Sequence, residues 1–201
     1  MNEPVTIQSR RILLDDVFRV DEAWVQYPTA SGELTPPVRR LCFERGDSAA
    51  ALVVNTERQT CVLAEQFRYP AHRRGSSWLV ELPAGIVDPG ESAEDSIRRE
   101  LVEEIGYRAG EMVHIATYFP SPGGSSERMA LFCALVTDAD HVAAGGGHAS
   151  EGEFIAIREM PLAEVDQALA EGRIVDGKTL LALTWLQLRV ARGQLRLGGS
   201  T

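Results

Sequence analysis

The chain has 201 residues, 44% of them hydrophobic, with 20 basic against 29 acidic side chains and a formal net charge of −9. That length holds one domain with room for a small appended subdomain, and the apolar content suffices for a sizeable core. The acidic balance argues against a nucleic-acid partner held on a basic surface, and apolar runs such as residues 49–54 are too short to cross a membrane.

The opening decapeptide MNEPVTIQSR is polar and lacks the apolar stretch of a secretory leader, while Cys42, Cys61 and Cys133 lie in strand-like runs without metal-ligand spacing. Both features point to a cytoplasmic protein with reduced core thiols. Residues 1–10 read as a loose arm. Residues 11–27 read as strands, with Phe18, Val20 and Trp24 on one face of a period-two pattern, and residues 29–32 as a turn. Pro36 and Pro37 interrupt the next strand, which resumes over 38–43. Residues 1–46 are therefore expected to form a small antiparallel subdomain, and 47–201 the main domain. Residues 49–54 and 60–67 predict a hairpin, and 78–82 a short strand running into Pro83, Ala84 and Gly85.

Residues 85–107, GIVDPGESAEDSIRRELVEEIGY, carry seven acids against two bases, a net −5 of the chain's −9. Ser92 is a helix cap with Asp95 three residues on, Ile97, Leu101 and Ile105 make an apolar stripe, and Gly106 is the stop. Glu100, Glu103 and Glu104, spaced i, i+3, i+4, share a face of that helix. Such like charges cost roughly a few tenths of a kcal/mol per pair unless a cation sits among them. Carboxylate oxygens without His or Cys suit Mg²⁺ or Mn²⁺. Taken alone, Glu-x-x-Glu-Glu reads as a solvated acidic face. Beyond it, residues 112–119 and 129–136 predict strands around the loop Ser121-Pro122-Gly123-Gly124. Residues 138–152 read as a loop containing Gly145, Gly146 and Gly147, and 153–158 as a strand. Leu162, Val165 and Leu169 mark one helix, and Leu181, Trp185 and Leu188 the apolar stripe of the last. His72, His114, His141 and His148 show no ligand or base spacing. This order of strands and helices fits an α/β fold.

The spacing from Gly85 through Glu91, Arg99-Glu100-Leu101, Glu103-Glu104 and Gly106 resembles the Nudix box, the signature of hydrolases acting on a nucleoside diphosphate linked to another group. Tyr107, where that family usually has an aliphatic residue, is the soft departure. The segments around Arg40 and Arg68, and the Ser-Pro-Gly-Gly loop, resemble the ADP-ribose pyrophosphatase branch. The string Asp176-Gly177-Lys178-Thr179 and the glycine triplet look like its GDP-mannose hydrolase relatives. The resemblance implies an α/β/α sandwich around a mixed sheet with a small N-terminal antiparallel subdomain. It implies hydrolysis of the diphosphate bond of a nucleoside diphosphate sugar, ADP-ribose first and GDP-mannose or a broader range as the alternative.

In that reading two or three Mg²⁺ (or Mn²⁺) ions are held by Glu100 and Glu104, with Glu103 assisting and the Ala84 carbonyl completing a shell. Arg99 orients the glutamates, and Gly85, Glu91 and Gly106 are structural. Arg40 and Arg68 grip the diphosphate, and Pro122 and Gly123 belong to the substrate site. Trp24, with Tyr27, stacks the base or serves the core or a dimer interface. The general base is Glu151, or Glu153 two residues on, swung on the three glycines as a hinge. A homodimer sharing residues 11–45 is expected, since an antiparallel subdomain leaves strand edges to cover. A sensor that binds without cleaving is the reading from another class. The full set of box carboxylates speaks for the enzyme, and the Ser-Pro-Gly-Gly loop speaks against a triphosphate substrate.

Overall fold

The computed structural model describes residues 5–195, apart from the side chain of Glu151. Its contacts divide the chain into two compact units, Met1–Asp47 with Phe119–Arg128, and Ser48–Tyr118 with Met129–Thr201.

The first unit is a three-stranded antiparallel sheet in the order β1 (Thr6–Asp15), β2 (Arg19–Gln26), β3 (Val38–Glu44). β1 begins at Thr6, inside what the sequence suggests is a loose arm, because residues 6–15 find a full-length partner in β2 from Thr6↔Gln26 to Asp15↔Arg19. Two acids on the central strand, Asp21 and Glu22, are buried. Arg10 pairs with Asp21, and Arg11 and Arg39 close on Glu22 from the two flanking strands. The segment Phe119–Arg128 is stitched to β3 and the residues after it. The Phe43 amide donates to the Gly124 carbonyl at 2.7 Å, Ser126 Oγ donates to Glu44 Oε2 at 2.6 Å, and Arg128 holds Asp47. The outer strand β1 is exposed along its length, Ile7, Ile12 and Leu14 included.

The second unit is an α/β/α sandwich. Its mixed sheet follows the path β10 (Ala156–Pro161), β5 (Thr60–Phe67), β4 (Ser48–Asn55), β9 (Met129–Val136), β8 (Met112–Tyr118). β6 (Trp78–Glu81) pairs with β5 and β7 (Ala84–Ile86) with β4. β4 and β9 run parallel from Ser48↔Met129 to Asn55↔Val136, and the other pairings are antiparallel. Every residue of β4 is buried, as a strand covered on both faces must be. Its even-numbered residues Ala50, Leu52 and Val54 pack with α3 (Val165–Ala170) and α4 (Gly177–Ala191). Its odd-numbered residues Ala49, Ala51 and Val53 pack with α2 (Ala93–Ile105). A short helix, α1 (Tyr69–His72), follows β5.

On α2 the stripe Ile97, Leu101 and Ile105 is fully buried, Ser92 caps the start by accepting the Asp95 amide at 3.1 Å, and Gly106 ends the helix at φ 78°. Three local expectations are corrected. The strand placed at 153–158 is β10, starting three residues later, because the backbone from His148 to Gly152 is spent on a 3-10 turn closed by Gly152 at φ 76°. β7 forms inside the start of the box, where the sequence suggested no strand. The core stripe of α4 is Thr179, Ala182, Leu183 and Leu186, while Leu181 and Leu188 lie exposed. That helix is apolar nearly all round, so the pattern alone did not fix its inward face.

Candidate active site

Four carboxylates of the second unit gather around the C-terminal half of α2. Arg99 sits among them: its Nη1 donates to Glu100 Oε1 at 2.8 Å and to Glu103 Oε2 at 2.9 Å, and its Nη2 lies 3.6 Å from Glu91 Oε2. Glu104 is turned inward and is 1% exposed. Its hydrogen bond is from the Ala84 amide to Oε2 at 3.1 Å, so β7 presents an N–H to this group. Gly85 makes room for Glu100: a Cβ there would stand 2.0 Å from Glu100 Oε1.

The electrostatics are those of acids short of cations. Burial pushes the Glu104 carboxyl up to about 8, the Glu100 charge adds to the push, and the Ala84 amide only partly opposes it. Burial also raises Glu100, against the pull of Arg99 and with help from Glu103 and Glu153. Desolvation disfavours the charged form, and one arginine shared among several acids does not offset it. A divalent cation would. Among the described residues no three His, Cys, Asp or Glu side chains already form a closed metal cage. The donor set nevertheless fits a hard cation: oxygen ligands, one deeply buried, with uncompensated negative charge.

The glycine triplet is pinned rather than free. Gly146 N–H donates to the Glu104 carbonyl at 2.8 Å and Gly147 N–H to the Glu103 carbonyl at 3.0 Å, so this loop closes the C-terminal end of α2. Gly145, at φ 67°, would bring a Cβ to 2.8 Å from the Glu104 carbonyl oxygen. The hinge expected at these residues is thereby corrected; the loop leaves the helix only after Gly147. Glu153 Oε2 takes the His148 amide at 3.3 Å, and its charge raises both Glu100 and Glu104. His148 Nε2 lies 3.6 Å from Glu103 Oε1. The backbone of Glu151 ends the 3-10 turn, and its side chain lies outside the described part of the structure.

Arg68, at the end of β5, reaches the cluster electrostatically, opposing the rise of Glu104. It also pairs with an acid that sequence reasoning passed over, Glu81, through Nε at 2.7 Å. Nothing in the local sequence marks Glu81, a lone acid at a strand end. The other proposed substrate residues, Trp24, Arg40, Pro122 and Gly123, belong to the first unit. There Arg40 makes no ion pair with the described residues and donates instead to the Tyr27 hydroxyl at 2.9 Å; Trp24 is 41% exposed.

The family model described as NUDIX domain matches residues 44–183. The chain is 34% identical over 190 residues to a GDP-mannose pyrophosphatase of Escherichia coli, covering 94% of this chain and 97% of that one. It is 35% identical over 187 residues to an ADP-ribose pyrophosphatase of Shigella flexneri, covering 92% and 88%. A solved structure described as an ADP compounds hydrolase superposes with a TM-score of 0.70 at 20% identity, covering 95% of this chain and 97% of that chain; at this identity the likeness speaks for the fold.

Proposed function

The chain belongs to the NUDIX domain family, and from that premise we propose that it hydrolyses the diphosphate bond of nucleoside diphosphate sugars, with ADP-ribose the first substrate and GDP-mannose the alternative. The observation that carries this reading is the pair Glu100, partly buried, and Glu104, fully buried, both raised by burial beside a single arginine. Hydrolases of this family generally use divalent metals, and Mg²⁺, in two or three ions, is the proposed cofactor. When bound it supplies charge neutralisation and activates water.

The chain's own residues do the rest. Glu100 and Glu104, with Glu103 assisting, hold the cation. Arg99 keeps Glu100 and Glu103 together on one face of α2. Arg68 supplies a guanidinium to the diphosphate, a planar fork matched to phosphate oxygens. Arg40, which makes no ion pair with the described residues and donates to the Tyr27 hydroxyl, is an anion contact of the first unit in this reading. A glutamate of the 148–153 loop, Glu151 or Glu153, takes the proton from the attacking water. Glu153 is supported by its electrostatic reach to Glu100 and Glu104; Glu151 remains the candidate by register. The protein acts as a cytoplasmic homodimer, a reading supported by the exposed apolar residues along β1. A monomer mass in light scattering at micromolar concentration would refute that assembly.

The decisive experiment is a panel of ADP-ribose, GDP-mannose, other sugar nucleotides and nucleoside triphosphates, with products identified by mass spectrometry in H₂¹⁸O. A nucleoside monophosphate and a sugar phosphate are expected, one of them carrying the label. Cleavage of triphosphates alone would overturn the substrate class.

A further inference from the structure

The hydrolytic reading leaves the Asp176-Gly177-Lys178-Thr179 string without a task. In the structure these residues converge on the strand end that feeds the box. Asp176 Oδ2 caps α4, accepting the Thr179 amide at 3.0 Å and the Thr179 hydroxyl at 2.6 Å. Thr179 Oγ1 in turn accepts the Leu82 amide at 2.9 Å. Lys178 Nζ pairs with Glu81 Oε2 and lies 3.1 Å from Asp176 Oδ1. The other oxygen of Glu81 takes Arg68 Nε.

Glu81 is 2% exposed. A carboxylate withdrawn that far from water has to be paired. Its two cations come from different elements, Arg68 from the end of β5 and Lys178 from the first turn of α4. Because Lys178 satisfies one oxygen, Arg68 spends only its Nε; its two terminal nitrogens make no hydrogen bond with the described residues. The side chain of Arg68 is 41% exposed and that of Lys178 is 10% exposed. The buried partner is thus the lysine, and the arginine is held at its base with its fork open.

We propose that Lys178 and Glu81 are positioning residues that hold the Arg68 guanidinium open toward the substrate diphosphate. The proposal rests on the reading of the site as a nucleoside diphosphate sugar hydrolase. Without the lysine, Glu81 has Arg68 as its remaining cation and draws the fork into a bidentate pair, turned away from substrate.

The test is a double-mutant cycle on the full chain with Mg²⁺ and ADP-ribose or GDP-mannose, whichever the panel selects. Lys178→Met should raise KM about tenfold with kcat changed less than about threefold, the signature of lost uniform binding. Glu81→Gln, which removes the buried charge along with the need to pair it, should do the same and keeps the test intact should Lys178→Met not fold. In an Arg68→Ala background neither substitution should raise KM further. The Arg68 Nε–H resonance, followed by NMR, should shift in Lys178→Met. A KM increase that persists in the Arg68→Ala background would mean that Lys178 meets substrate itself, and overturns the proposal. So would an unchanged KM with only a lowered melting temperature. Should the wild-type protein cleave no sugar nucleotide, the functional reading fails and the resonance decides alone: a shift retains the ion triad, and an unmoved resonance overturns it.

Discussion

Glu22 in the first unit and Glu104 in the second are both buried glutamates, and they are pushed in opposite directions. Glu22 lies between Arg11 and Arg39, and hydrogen bonds from those two arginines, Arg11 the stronger, hold its carboxyl below the ordinary range. Glu104 has one backbone amide and acidic neighbours, and burial pushes it up to about 8. Burial alone therefore says little about what an acid does. A carboxylate already matched by cations is a joint of the scaffold; one left short of cations is where a bound cation would bring the largest gain.

The sharpest extension of this contrast concerns an acid that handles a proton. Either Glu151→Gln or Glu153→Gln should lower kcat by roughly 10²–10⁴ with little change in KM, and activity should recover in part at high pH, where hydroxide supplies the missing base. Steady-state kinetics of the two variants decides between them, and two near-silent variants would remove the loop from the mechanism. Next in size, Glu104→Gln should cost at least about 10² in kcat at saturating Mg²⁺ while leaving the metal-free fold no less stable. Glu22→Gln should do the reverse, leaving kcat in place and lowering the urea midpoint. If Glu104→Gln turns over like the wild type, the contrast fails.

A smaller effect is expected from Gly85→Ala. The added Cβ would overlap Glu100, forcing that carboxylate aside and raising the Mg²⁺ concentration for half-activation by about tenfold, read from a metal titration.

The last effect is in pH-dependent stability. Glu104 binds a proton more tightly in the fold than its ordinary value of 4.5 allows. Metal-free stability should therefore fall as pH rises from there toward 8, by up to about 1.4 kcal/mol per pH unit. Glu22 runs the other way: its contribution is present above 4.5 and is lost as pH falls through its lowered folded value. Melting curves without metal should thus peak in weak acid, and added Mg²⁺ should raise the melting temperature more near pH 8 than near pH 6.

What was legible in the sequence was what local pattern determines. Ser92, the Ile97-Leu101-Ile105 stripe and Gly106 define α2 and its ends, because caps and periodicity act within a few residues. Glu100, Glu103 and Glu104 could be placed on one face by spacing alone. What stayed hidden depends on partners distant in the chain. Thr179 is a core residue only because Leu82 needs an acceptor. Glu81 matters only because Arg68 and Lys178 meet there. Three consecutive glycines look like slack, yet two of their amides are spent on the carbonyls of Glu103 and Glu104.

The first unit is assembled from two separate stretches, Met1–Asp47 and Phe119–Arg128. During synthesis from the N-terminus its three strands emerge early, but the strap that bonds to Phe43 and Glu44 comes only after β4 through β8 and the whole of α2 have been made. The sheet must therefore wait, incomplete, while α2 is translated, and no single cut in the chain separates the two units.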